Sequence, residues 1–273
     1  VRRVFVAIAV AFLVAFCLGP FLWSVITSIK PNREVFSIPP TYLPSEVSIE
    51  NYTGVMEQRP FGRYILNSLI VAAGSTILAL AAALPAAYAL AKLRLPGAPA
   101  IERGLIFFAL FPPAVLIVPL FSVVRSLGLM NSHAVLIVVH AALNLPLAIW
   151  MMAAFFRELP SDLEDAARVD GFSRIGFLLK IALPLAAPAA AATAILLFVF
   201  SWNEFVIALT LMIQEEKQTV PVGIAMISGV TTYDIPWGQI SAAVVMTTLP
   251  VIAAVLLMQK WIIRGLTSGA VKG

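Results

Sequence analysis

Six windows of this 273-residue chain, at about 4–29, 64–90, 105–124, 134–155, 183–209 and 240–262, are long, apolar and nearly free of charge. A helix rises about 1.5 Å per residue, so about 20 apolar residues cross the hydrocarbon core of a bilayer. Lipid offers no hydrogen-bond partners to the backbone, and a helix satisfies its own. The expected fold class is therefore all-α integral membrane, with six transmembrane helices forming a single domain over 1–273. Composition agrees: 61% of residues are hydrophobic and 12% charged, against about a quarter charged in ordinary soluble domains.

The 18 Lys and Arg residues give a net charge of +4. They sit in short clusters between the apolar windows, with no basic face and no interleaved aromatics, which argues against nucleic acid as a partner. With the N-terminus in the cytoplasm, 12 of them fall inside and 6 outside, the asymmetry expected of cytoplasmic loops. The stretch after Arg2 and Arg3 exceeds the apolar region of a signal peptide and lacks a small-residue cleavage site, so it reads as a retained first helix. The one cysteine, Cys17, has no second cysteine to pair with.

Pro85, Pro112, Pro113, Pro119, Pro146 and Pro188 fall within the windows, where each removes a backbone donor and bends or merely packs its helix. Small residues crowd the second window and recur at 186–194, as in closely packed membrane helices. The outside loop, 30–63, carries Pro31, Pro39, Pro40 and Pro44, which oppose a long helix in its first half. Its aromatics Phe36, Tyr42 and Tyr52 suit a segment lying on the membrane surface or meeting a partner. Asn51-Tyr52-Thr53 matches a glycosylation sequon.

The longest cytoplasmic loop, 157–182, has its own local logic. Ser161 and Glu164 have capping-box spacing. Asp162, Glu164 and Asp165 place negative charge where a helix N-terminus favours it. Leu163, Ala166, Ala167 and Val169 make a short apolar face, Gly171 ends the helix, and a second short helix leads to Pro184. The result is a helix–glycine–helix element, either an amphipathic connector or a surface that fits a groove on another protein.

At this point the sequence resembles the MalG-type inner-membrane permeases of carbohydrate ABC importers. Their signature is E-A-A, three residues, G, nine residues, I, one residue, L-P. Here Asp165-Ala166-Ala167, Gly171, Ile181, Leu183 and Pro184 stand at that spacing, with aspartate for glutamate at the first position. The likeness continues through residues 87–97, 111–121, 127–137, 145–160, 200–205 and 265–273. It implies a type I ABC importer permease fold in a bacterial or archaeal cytoplasmic membrane, with both termini cytoplasmic. It also implies these partners: a second homologous permease, two ATPase subunits that bind ATP and Mg, an extracytoplasmic sugar-binding protein and a sugar substrate. The short helix, with Glu164, Asp165, Ala166, Ala167, Asp170 and Gly171, would sit in a groove of one ATPase. The cytoplasmic tail, 263–273, would add a contact through Thr267, Gly269 and Lys272.

The chain has no G-x-x-x-x-G-K-[ST] phosphate loop and no HExxH or CxxC motif. It is expected to be no enzyme itself and to carry no cofactor or metal. Polar groups at membrane depth face inward or pair. Trp202, Asn203 and Glu204, with Asn144 and Tyr88, are therefore candidates for a sugar path. Glu204 has the alternative of an ion pair near the outer interface, and His140 that of an ordinary hydrogen-bonded packing residue. Other readings are a permease for a different solute such as a glycerol phosphate, a stand-alone secondary transporter, or an assembly protein.

Overall fold

The computed structural model describes residues 2–93, 95–227 and 235–269, with 260–269 described by backbone alone. All regular structure among them is helical: α1 (Arg2–Ser28), α2 (Asn32–Val35), α3 (Glu50–Gln58), α4 (Phe61–Lys92), α5 (Ala98–Ala109), α6 (Ile117–Ser126), α7 (His133–Glu158), α8 (Ser161–Val169), α9 (Arg174–Phe177), α10 (Leu183–Leu185), α11 (Ala187–Trp202), α12 (Val206–Leu211), α13 (Val220–Ala225) and α14 (Trp237–Gly269). Helices α1, α4, α7 and α14 are each long and apolar enough to cross a bilayer.

The third and fifth windows are not the continuous helices that hydropathy predicts. Ala98–Ala109 and Pro113–Ser126 meet at 86°, and Arg174–Leu185 and Ala187–Trp202 at 76°, so the count is four, or six if each bent pair is one span. The first break follows from Pro112-Pro113. A residue before proline is pushed out of the helical region, and Pro112 is extended at φ −66°, ψ 119°. In the second, Pro184 has no N–H for the carbonyl of Lys180, and residues Leu178–Ala182 widen into a π-turn. Pro188 then denies a bond to Pro184, and the chain turns between them. The fifth window also ends early, because α11 stops at Trp202 and a separate short α12 follows.

The chain divides into two compact units. One comprises Val1–Ile65 with Val220–Pro250. Its hub is Asn51, fully buried, whose Nδ2 donates to the carbonyls of Ser28 (3.1 Å) and Lys30 (2.8 Å). Tyr52 and Ser28 share a hydroxyl–hydroxyl bond of 2.8 Å. Lys30 is buried, donates to the Thr41 carbonyl and lies 4.9 Å from the centre of the Trp23 ring. The Asn51 nitrogen of the sequon is thus consumed inside the fold.

In the same unit, Glu34 accepts from the hydroxyl and the backbone N–H of Ser45. The hydroxyl bond, then the backbone bond, hold the Glu34 carboxyl below the usual carboxylate range, with Arg33 and Lys30 acting the same way. A depressed folded pKa gives stabilisation that is present above the unfolded pKa and lost as pH falls through the folded one. Hydrogen-exchange protection of 34–46, corrected for the intrinsic rate, is expected to fall below about pH 4. Glu34→Gln should show low protection at every pH.

The other unit comprises Leu66–Thr219 with Val251–Gly273. Ala79, Ala83 and Ala87 recur every fourth residue on α4, so they form one buried strip. Against it pack Ile149, Met152, Ala153 and Phe156 of α7, Ala167 of α8 and Phe177 of α9. The small-residue pattern of the second window therefore serves close helix packing, as its composition predicts.

Candidate coupling element and polar centre

Residues 158–184 fold into two short helices set by a glycine. Pro160, extended at φ −56° and ψ 136°, occupies the N-cap, and Ser161 is the first helical residue. The predicted capping box therefore does not form: a capping side chain must belong to the extended residue, and proline has taken that place. Glu164 turns instead to Arg168, 2.7 Å away and one turn on. At the other end the prediction holds. Gly171 sits at φ +81°. The N–H of Gly171 bonds the carbonyl of Arg168 (3.1 Å), and that of Phe172 the carbonyl of Ala167 (2.9 Å). This is the Schellman closure that a left-handed residue makes available. Ser173 then caps α9 by accepting from the Gly176 N–H at 3.1 Å.

The helix has two different sides. Glu164 (8% exposed) and Ala167 (3%) face the α4/α7 core. Asp165, Ala166 and Asp170 are exposed, and so is Val169 at 88%. Arg168 also reaches Asp165, at 3.6 Å. Ile181 is half-buried against the core. Leu183 and Pro184 line a cavity of about 470 Å³ together with Leu80 of α4 and the alanines of α11. Thr267 and Gly269 belong to the end of α14 by backbone, and Lys272 lies outside the described residues.

Tyr88 lies in this region, away from the polar centre. Its ring lies 6.0 Å from Phe156 and 6.1 Å from Phe177, and it is buried. It stands thirteen residues along α4 from Ser75, the residue of α4 that joins the polar centre, which is about 20 Å of helix.

The polar centre is a chain of hydrogen bonds. Ser75 of α4 bonds Ser201 of α11 at 2.8 Å. Ser201 bonds Nδ1 of His140, on α7, at 2.7 Å. His140 Nε2 bonds Glu204 at 3.1 Å. Glu204 in turn accepts the N–H groups of Ile207 (2.8 Å) and Ala208 (3.0 Å), the first turn of α12. The Ser75 hydroxyl can donate to Ser201 or to the Ala72 carbonyl, 3.2 Å away, and the direction of each bond along the chain follows from that choice. His140 is 2% exposed, and the Glu204 side chain 21%.

Of the sequence candidates, Trp202, Asn203 and Glu204 adjoin this centre. The Trp202 ring is buried and stacks on Phe198, 5.7 Å between ring centres. Asn203 is exposed, and its side-chain amide donates to the Val199 carbonyl at 2.8 Å. Asn144 is half-buried, one turn along α7 from His140. Sequence reasoning treats His140 alone and passes over Ser75 and Ser201. The available signal is the occurrence of hydroxyls and an imidazole inside otherwise apolar windows. Among the described residues, no group of three or more His, Cys, Asp or Glu side chains is placed to hold a metal.

The described residues thus combine four membrane-long apolar helices, two bent helix pairs and a glycine-closed short helix between α7 and α11. The family model described as "binding-protein-dependent transport system inner membrane component" matches residues 76–268. The chain is 37% identical over 272 residues to the trehalose transport system permease protein SugB of Mycobacterium tuberculosis, covering 100% of this chain and 98% of that one. It is 37% identical to the trehalose/maltose transport system permease protein MalG of Thermococcus litoralis (100% and 98% covered). It is 38% identical to the sulfoquinovosyl glycerol transport system permease protein SmoH of Agrobacterium fabrum (97% and 93% covered). A crystal structure of a bacterial ABC transporter involved in the import of the acidic polysaccharide alginate contains a chain with the same fold. The TM-score is 0.79, the sequence identity 24%, and 95% of each chain is covered. The protein belongs to the binding-protein-dependent transport inner-membrane component family and is a non-catalytic membrane permease subunit of an ABC importer.

Proposed function

We propose that this permease carries a sugar, and that α8 is the element through which separate ATPase subunits drive it. The carrying observation is the two-sided α8. Glu164 and Ala167 fix it to the α4/α7 core, while Asp165, Ala166, Val169 and Asp170 remain on a free surface. An exposed, rigidly closed helix with a small apolar centre and acidic flanks suits a groove on a partner. Loop 157–182, the tail 263–273 and both termini lie in the cytoplasm, and loop 30–63 outside, in keeping with the distribution of basic residues. Thr267, Gly269 and Lys272 supply a second contact with the ATPases.

The working assembly contains a second permease, two ATPase subunits holding ATP and Mg, and an extracytoplasmic binding protein that selects the substrate. The substrate class is a glycoside, supported by relatives whose names specify trehalose, maltose and a sulfoquinovosyl glycerol. Within the chain, Asn203 offers an exposed amide to sugar hydroxyls, next to Glu204, with Asn144, Trp202 and Tyr88 as further candidates for the path.

The test is uptake of radiolabelled trehalose and maltose into liposomes carrying both permeases, the ATPase and the binding protein. Uptake of at least one sugar is expected only with internal ATP, and vanadate should abolish it. Uptake that persists without the ATPase would replace this reading with a stand-alone transporter.

A further inference from the structure

We propose that His140 is a positioning residue of the translocation path, holding the break at residues 203–205 in place from inside the bundle. This goes beyond the importer reading by assigning a role to a buried group that coupling and substrate selection leave unused.

Three features carry it. First, the break is tied to α11 by its backbone and to α12 by a side chain. Helix α11 ends at Trp202, and the backbone bonds of Asn203 and Glu204 run back to Val199 and Ser201. The first amides of α12 find their acceptors in the Glu204 carboxylate. The angle at which the chain leaves α11 and enters α12 therefore depends on where that carboxylate stands. Second, Glu204 is tied to two elements at once. Its carboxylate accepts the α12 amides on the break itself, and His140 is the partner that ties it to the bundle behind. Third, the group behind it cannot move. His140 is almost wholly enclosed, and its other nitrogen is tied through Ser201 to Ser75, which is itself fully buried. Three helices, α4, α7 and α11, each contribute one polar group to a line ending on the carboxylate. Such a line is satisfied only when all of its members are present.

The consequence falls on Asn203, which immediately precedes Glu204. Its nitrogen is committed to Val199 and the residue is exposed, so its oxygen remains as an acceptor at the break. His140 touches no solute. It fixes the polar surface that a solute would meet, and it makes α4, α7, α11 and α12 move together. Proton coupling is not required of it, since ATP supplies the energy in this class of importer.

The experiment compares wild type, His140→Leu, His140→Gln and Ser201→Ala in the assembled complex in nanodiscs. Two readings are taken: hydrogen exchange of the peptide spanning 203–211, and ATP hydrolysis stimulated by the loaded binding protein. Glutamine can donate to Glu204 and accept from Ser201, whereas leucine does neither. In the leucine variant, exchange at Ile207 and Ala208 should quicken about ten-fold and stimulated hydrolysis should fall by a similar factor. Glutamine should bring both back to within about two-fold of wild type. Unchanged exchange in His140→Leu overturns the proposal. So does faster exchange with undiminished hydrolysis, which would make the network merely structural, or a glutamine variant as impaired as leucine. If His140→Leu does not assemble, Ser201→Ala decides: it loses one hydroxyl with little change in volume and should show the same exchange effect, smaller in size. A wild-type complex lacking stimulated hydrolysis would count against the assigned partners, while the exchange reading would still test His140.

Discussion

Replacing Gly171 with valine is expected to reduce sugar uptake per ATP by about an order of magnitude while the complex still inserts and assembles. The two effects separate for a structural reason. A Cβ added at Gly171 would meet nothing within 4 Å, so no neighbour is displaced and the core is untouched. The cost comes from the backbone alone. At φ +81° an L side chain is strained, by about 1–2 kcal/mol, and more for a β-branched one. The strain is relieved by letting φ turn negative, which breaks the bonds from Gly171 to Arg168 and from Phe172 to Ala167. Helix α8 then keeps its contacts through Glu164 and Ala167 but loses its fixed angle to α9. An element that transmits force needs that angle more than the fold does.

A graded series makes the argument sharper. Asparagine tolerates the left-handed region better than other side chains, so activity should fall in the order glycine, asparagine, alanine, valine. ATP hydrolysis and uptake measured together in proteoliposomes would read this directly. Wild-type uptake per ATP in the valine variant would show that α8 does not transmit the stroke. An asparagine variant as impaired as valine would show that bulk, not backbone conformation, matters.

Gly171 was legible because its signal is local: an acidic first turn, a short apolar face and a glycine at the place where a helix of that length ends. The four unbroken spans were legible for a related reason, since about 20 apolar residues leave a chain few other options. Averages over such windows report solvent preference and not backbone continuity, which is why 105–124 and 183–209 each read as one span. The correction was present in Pro112-Pro113, Pro184 and Pro188, each of which removes a donor at the point where the chain turns.

Ser161 failed for a narrower reason. Capping depends on which residue is extended, and Pro160 shifted the boundary by one. The polar centre was hidden because its contacts are distant in sequence. Ser75 and Ser201 lie 126 residues apart, and His140 and Glu204 lie 64 apart. Nothing in either neighbourhood announces the other. Tyr88 was grouped with Asn203 on residue type, but position along α4 separates it from the polar centre by about 20 Å.

Gly223→Ala should be the most destabilising single-methyl addition available in α13, costing about 2 kcal/mol. Its Cβ would lie 2.3 Å from Cδ2 of Tyr64, 2.7 Å from Cε2 and 3.2 Å from Cγ. These atoms belong to the body of a ring that is fully buried and packed edge-on against Phe61, 5.8 Å between centres. The ring cannot swing aside without displacing Phe61, which is also fully buried. Gly74→Ala provides the control. There the new Cβ lies 2.8 Å from Cδ1 of the half-buried Ile137, an end methyl that can turn about χ2, and 3.2 and 3.4 Å from its Cγ1 and Cγ2. Its cost should stay below about 1 kcal/mol. Thermal unfolding of the purified protein in one detergent would rank the two. A double-mutant cycle then tests the cause. Tyr64→Ala alone is destabilising because it leaves a cavity, but it also removes the atoms that Gly223→Ala strikes. The double variant should therefore be no less stable than Tyr64→Ala alone, a coupling of about 2 kcal/mol between the two sites. Simple additivity would mean that the methyl group disturbs the helix itself and that the contact with Tyr64 is not what requires glycine.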